Sequence, residues 1–271
     1  MTGTPLPPPP PADALARLLP PDVDLAAGWR HQAAGPVWHG VVWGRLGRGD
    51  LAWAHLDRVR LPDLEPWIAA ERGRVLRELG LHADAEAIEM PALLRATDPV
   101  DEAMLRVSLV ADAVGQGDAD RAVRRLVAAR DAVARAADGP RTARQRVRLS
   151  WVATEVAFLT GGEPPQVDDD ATPRWDEAAG RPRFGPDLAH GSDFHRAKAL
   201  LFAGVVRDEA RLLDAAVGLA PPILAWAVHL ARADRGIPGA ADQAREAWRE
   251  VVPPPGYAEV VAATATARRL A

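Results

Sequence analysis

One phrase recurs along this chain: a helical run, a polar turn carrying glycine, then a second helical run with alanine at matching offsets. It reads PVWHGVVWGRLGRGDLAWAHL over residues 36–56 and AERGRVLRELGLHADAEA over residues 70–87. It returns as LRVSLVADAVGQGDADRAVRRL over residues 105–126 and, most faintly, as LAWAVHLARADRGIPGAADQA over residues 224–244. A repeated helix–turn–helix unit hides its apolar face only against its neighbours, so the units must stack. The composition agrees. The chain is 48% hydrophobic, but much of that is alanine, with one tyrosine and four phenylalanines. Alanine is the best helix former and lets helices approach closely. The expected fold class is all-α, built from stacked helical hairpins without a sheet.

Punctuation by proline and glycine divides the chain further. Residues 1–20 form a proline-rich segment expected to be a disordered tail, with a short helix over residues 12–19, because a proline run can be neither helix nor sheet interior. Residues 21–271 are expected to form a single helical repeat domain. Pro66 suits a first helical turn, and Ile68, Val75, Leu76 and Leu79 share one face before Gly80 ends the helix. Asp98 and Pro99 open a third pair, whose return helix carries Ala122, Leu126, Ala129 and Val133 on one stripe. A long helix over residues 141–159 has no following partner. Instead residues 163–190 are rich in Pro, Gly and Asp without period, an irregular insertion of the kind that is either functional or disordered. Ser192 and Asp193 suit the N-cap of the next helix. Two more pairs follow over residues 194–219 and 222–251, then a terminal helix over residues 257–270.

At these positions the chain resembles the tetratricopeptide repeat (TPR), whose unit carries small and large residues at fixed offsets around a glycine-bearing turn. The first unit supplies Gly40, Trp43, Gly47, Ala52, Leu56 and Val59, and the second Gly73, Leu76, Gly80, Ala85 and Ala92. Glu89 stands where the family has an aromatic or apolar residue. The third unit supplies Gly117, Ala122, Leu126 and Ala129, with Val110 at a small-residue position. The match covers the first half of the chain. It implies a TPR-like superhelix, a scaffold whose first helices line a concave groove that binds a protein or peptide. Carried over, that groove contains Arg45, Trp67, Arg74, Arg77 and Glu78. Its arginines would be solvent-exposed and would suit an acidic segment or a C-terminal carboxylate.

Other functions are narrowed by what the chain lacks. A net charge of −4, with arginine spread along the whole chain and Lys198 the one lysine, argues against nucleic acid and anionic membrane as partners. With no cysteine there is no disulfide or thiolate chemistry. No apolar run is long enough to span a bilayer, and the N-terminus lacks a basic region leading into an apolar core, so cytoplasm is the expected location. Phosphate-binding loops, nucleophile elbows and HExxH are missing, so a non-catalytic role is expected, with no cofactor and no metal.

Three clusters carry groups capable of chemistry. His190, Ser192, Asp193 and His195 crowd together and form an alternative pocket beside the insertion, although Ser192 and Asp193 are explained by capping alone. Asp168, Asp169 and Asp170 read as a solvated acidic loop. Asp112 and Glu155 share helix faces with apolar residues and are either satisfied by arginines or part of a site. Of the nine tryptophans, most fall inside helical runs as core; Trp67, near a helix start, is the candidate for an exposed contact. The leading expectation is an adaptor for a protein or peptide. The alternative is a small-molecule-binding or enzymatic all-α domain with its pocket near residues 163–190. An open groove favours the first, and a closed pocket holding His195 and a carboxylate favours the second.

Overall fold

The computed structural model describes residues 7–20, 35–163 and 170–270. Among these, fifteen α-helices carry nearly all the regular structure, and one short two-stranded hairpin is the only sheet. The protein is all-α. After α1 (Ala12–Leu18) come the pairs α2 (Gly35–Arg45) with α3 (Gly49–Leu56), α4 (Glu65–Glu78) with α5 (His82–Arg95), and α6 (Pro99–Gly115) with α7 (Ala119–Arg135). The long α8 (Pro140–Thr160) leads to the strands β1 (Arg174–Asp176) and β2 (Arg181–Arg183) and the short α9 (Pro186–Ala189). The pairs α10 (Asp193–Arg207) with α11 (Ala210–Val217) and α12 (Pro222–Ala233) with α13 (Ala240–Arg249) follow, then α14 (Ala258–Ala262) and α15 (Ala265–Leu270).

Local signals set these boundaries. Asp98 caps α6 by accepting from Val100 N at 2.7 Å, and Asp118 caps α7 by accepting from Arg121 N at 3.0 Å. Ser192 N donates to His195 Nδ1 at 3.2 Å, closing a reciprocal capping box at the start of α10. The turn glycine of the repeat adopts the left-handed conformation at Gly80 (φ 82°) and at its counterpart Gly117 (φ 72°), where a side chain would be strained.

The first helix of each pair faces inward. α2, α4, α6, α8, α10 and α12 each pack on the next, and α12 returns to α2, so the six inner helices close into a ring. The second helices pack outside them, and α9 takes the outer place beside α8. A seam locks the ring: Val252 N donates to Gly47 O and Gly49 N to Val252 O, each at 2.7 Å. The largest apolar cluster joins both ends of the chain, with Ala52, Val75 and Leu76 against Phe194, Leu200, Leu212, Leu224 and Val261. α4, α6, α8 and α10 present their N-terminal halves to one end of the ring axis and their C-terminal halves to the other.

Three expectations need correction. Of the 1–20 segment expected as a free tail, residues 1–6 lie outside the described residues and residues 8–20 are docked. A proline run still offers carbonyls, and Pro8 O accepts from Trp43 Nε1 at 2.9 Å and lies 3.2 Å from His55 Nε2. Leu18 and Leu19 are buried beside Val41 and Leu56. Within the insertion, residues 174–183 form an antiparallel hairpin in the register Arg174–Arg183, Trp175–Pro182 and Asp176–Arg181. Asp176 Oδ1 accepts from Ala179 N at 3.0 Å to make the turn, while Trp175 and Phe184 pack onto the core. The terminal helix breaks into α14 and α15, because the Thr264 hydroxyl accepts from Ala267 N at 3.1 Å and starts a new helix. Asp168 and Asp169 lie outside the described residues. Among the described residues, no helix is long and apolar enough to cross a membrane.

Candidate functional site

Ring closure leaves space on the axis. The larger chamber, about 280 Å³, is bounded by five of the inner helices and the ends of α5 and α15. Helical spacing explains its lining. Arg74, Arg77 and Glu78 share one face of α4; Arg148, Trp151, Val152 and Glu155 follow at i, i+3, i+4 and i+7 on α8, and Phe194, Lys198, Leu201 and Phe202 at i, i+4, i+7 and i+8 on α10. Trp226 and Ala227 of α12 complete the wall. Trp151 stacks on Phe202 with ring centroids 6.0 Å apart. The chamber therefore has aromatic walls carrying a few charged groups, the usual make-up of a small-molecule site.

The charges are arranged in pairs. Lys198 Nζ donates to Glu78 Oε1 at 2.8 Å. Burial alone would raise the Glu78 pKa, but Lys198 outweighs it and holds the carboxyl below its ordinary range. Arg77 donates to Asp112 Oδ1 at 2.7 Å and spans both oxygens of Glu89 at 2.8 and 3.1 Å. Burial pushes Glu89 up to about 8, because one guanidinium is shared between two carboxylates. Burial also works against ionised Asp112, yet Arg77 and His82 together keep it below the usual value. Glu155 has no hydrogen-bond or ion-pair partner among the described residues. Its pKa is raised by burial, and Lys198 offsets this only in part.

A smaller chamber of about 60 Å³ continues the axis toward the N-terminal ends of these helices. Arg74, Arg148 and Phe194 border both. Its other polar lining includes Arg45, Glu71, Arg144 and His195, with Trp38 and Trp67 as an edge-to-face pair 5.5 Å apart. Arg74 Nε donates to Glu71 Oε2 at 2.8 Å, whereas its Nη1 and Nη2 are buried without a partner. Arg45, only 4% exposed, donates from Nη1 to Leu18 O and to Ser192 Oγ, the latter at 3.0 Å. Burial, joined by repulsion from Arg74, Arg144 and Arg148, pushes the Arg45 pKa down to about 9 against the pull of Glu71. Arg148 falls to about 10 through burial and the nearby Arg77. Burial and the same guanidiniums, Arg45 first, drive His195 well below its ordinary value. The imidazole is therefore neutral, with Nδ1 accepting at the helix cap.

Of the expected groove residues, Arg45 and Trp67 line the smaller chamber, Arg77 and Glu78 the larger, and Arg74 both. The structure corrects their exposure: Arg45 and Arg74 are buried, and Arg77 and Glu78 nearly so, because the ring has closed over them. Trp67 is likewise packed, against Trp38 and the Arg141 guanidinium 5.4 Å from its ring. The His190 cluster divides. His195 lines the smaller chamber with Glu71; Asp193 turns outward to Arg17 and Arg196; the His190 backbone accepts from Arg144 at 3.4 Å. Asp112 is paired with Arg77 through Oδ1 while its Oδ2 is buried without a partner, and Glu155 faces the cavity. Sequence reasoning passed over Glu71, Arg148, Phe194 and Lys198. The i, i+3, i+7 set Arg148, Trp151 and Glu155, and the presence of a single lysine among so many arginines, were the available signals. Among the described residues no three His, Asp or Glu side chains converge as a metal-ligating set.

No protein-family model matches the chain, and neither a curated protein nor a solved structure matches it.

Proposed function

We propose that this protein binds a small polar organic molecule inside its helical ring, without covalent chemistry. The observation that carries the reading is the axial chamber of about 280 Å³, walled by Trp151, Phe202 and Trp226 and studded with the Lys198–Glu78 pair and the unpaired Glu155. That volume is near the lower end for ligand sites, roughly 300 Å³, which favours a compact molecule over an extended peptide. A peptide groove needs an open concave face, and here the inner helices pack edge to edge around the axis. The adjoining chamber holding His195 and Glu71 also supports an enclosed site over an adaptor surface.

Native mass spectrometry of protein purified from its host, followed by tryptophan fluorescence titration, tests this. A co-purifying or added small molecule should perturb Trp151 and Trp226 emission. Ala111→Phe, which fills the larger chamber, should abolish the response, whereas Arg124→Gln on the outer face of α7 should keep it. A ligand that binds Ala111→Phe as well as wild type would place binding elsewhere and refute the reading.

A further inference from the structure

The junction of the two chambers has a chemistry of its own. Arg77 is engaged by Glu89 and Asp112, Lys198 by Glu78, and Arg74 by Glu71 through Nε alone. Arg45 and Arg148 have only neutral partners: Leu18 O and Ser192 Oγ for the first, Gln145 Oε1 at 2.8 Å and Ser108 Oγ at 2.7 Å for the second. The buried guanidinium of Arg45 and the half-buried one of Arg148 thus have no carboxylate partner among the described residues. Beside them lies the free edge of Arg74, a residue 9% exposed whose two Nη groups have no partner. A buried donor left unmade is costly, and a buried charge left unbalanced more so. The Phe194 ring holds the arrangement, with Arg45 at 5.2 Å and Arg74 at 5.4 Å from its centroid. Because Glu71 occupies the Nε side, Arg74 presents its Nη1/Nη2 edge, the fork that matches a carboxylate or phosphate in bidentate fashion.

We propose that Arg74, flanked by Arg45 and Arg148, forms an oxyanion subsite that receives a carboxylate or phosphate group of the molecule held in the axial cavity. This rests on the cavity reading above and adds the charged end of the ligand. The depressed pKa values of Arg45 and Arg148 agree with it, since burial and the neighbouring guanidiniums disfavour their charge and an anion beside them would offset that.

The test uses the full-length protein in chloride buffer free of other oxyanions. Thermal melting is followed during titration with inorganic phosphate and, separately, with acetate, against sodium chloride at matched ionic strength. Saturable stabilisation by phosphate or by acetate is expected, and which one acts identifies a phosphoryl or a carboxylate source. Arg74→Gln should weaken that response at least about tenfold, the loss expected for a charge-assisted bidentate contact. Arg74→Lys, which keeps the charge and removes the fork, should weaken it nearly as much, and Arg124→Gln should leave it unchanged. Circular dichroism confirms that each variant is folded; if Arg74→Gln is not, Arg74→Lys and Arg148→Gln carry the comparison. No effect beyond chloride, or an effect that survives both Arg74 variants, would overturn the subsite. If a neutral molecule fills the larger chamber while oxyanions do nothing, the subsite falls and the cavity reading stands. Oxyanion binding that depends on Arg74 but is untouched by Ala111→Phe, with no organic ligand found, supports the subsite and sinks the cavity reading.

Discussion

Gly73→Ala should destabilise this protein, against the ordinary rule for a glycine inside a helix. Replacing a mid-helix glycine by alanine normally gains about 1 kcal/mol. Gly73 sits within α4, directly beneath the Glu89 side chain. A Cβ there would lie 2.2 Å from Glu89 Oε1, 2.6 Å from Cδ and 2.9 Å from Cγ, where ordinary contact begins near 3.4 Å. The carboxylate would have to move by about 1 Å, yet Glu89 is 0% exposed and gripped at both oxygens by Arg77. Overpacking costs about 1–3 kcal/mol, and breaking a buried ion pair about 3–5. Asp112 still holds Arg77, so only part of the second cost applies. After the helical gain, a net loss of about 2–4 kcal/mol remains. At roughly 2–4 °C per kcal/mol for chains approaching this size, the melting temperature should fall by about 5–15 °C. Thermal and urea denaturation of wild type, Gly73→Ala, Glu89→Ala and the double variant measure it. The double variant should lose little beyond Glu89→Ala alone, because the clash is gone. A stabilised Gly73→Ala, or strictly additive losses, would show that the glycine is not there to admit Glu89.

Three further outcomes are expected. The folded-state pKa of His195 is depressed from about 6.5, so wild type should lose stability as pH falls below that value, where the unfolded chain takes up a proton and the buried ring does not. His195→Gln keeps a capping-box acceptor and should flatten this loss in pH-dependent urea melts; since His39, His55 and His229 are pushed the same way, the wild-type-minus-variant difference is the quantity to read. Val252→Pro removes the N–H that closes the ring onto Gly47 O and should cost about 1–3 kcal/mol in denaturant titrations, whereas a neutral effect would mean the seam carries no stability. Trp175→Ala strips the anchor that fixes the 174–183 hairpin against the core, so limited proteolysis should cut this segment faster than in wild type; an unchanged cleavage rate would show that the hairpin is held otherwise.

The hairpins were legible because they are local. Apolar stripes at helical spacing, with Gly80 and Gly117 at the turns, need only neighbouring residues to be read. Offsets around the turn also place Arg45, Arg74, Arg77 and Glu78 on first helices, where the helix boundaries have them. Closure was not legible. It depends on Gly47 and Gly49 meeting Val252, some two hundred residues later, through backbone bonds that leave no trace in side-chain pattern. The 174–183 hairpin escaped because strands of three residues cannot show alternation, and the docked proline run because its carbonyls do the binding. Glu89 is the instructive case. It stands in an aromatic slot of the pattern, but as a buried carboxyl admitted by Gly73 and held by Arg77. Arg148 and Lys198 lie in the half of the chain where the repeat pattern fades, so the offsets around the turn do not reach them.

Closing the ring changes what the same residues do. On an open groove, water satisfies every guanidinium N–H, and an exposed ion pair contributes at most about 1 kcal/mol. Inside the ring, Arg45 and Arg74 stack on one phenylalanine and Arg148 lies beside them, with Glu71 the one carboxylate lining this chamber among the described residues. Their mutual repulsion is then a cost of folding, which the apolar clusters on both sides of each inner helix must offset. A ligand that brings negative charge to Arg74 relieves that cost as it binds. Under the proposed subsite, the affinity of such a ligand includes relief of that repulsion, and the protein's stability should rise with ligand concentration by linkage. Such coupling requires enclosure, which ties the seam at Gly47 and Val252 to the chemistry at Arg74: a variant that opens the first should weaken oxyanion binding at the second without touching any residue that lines it.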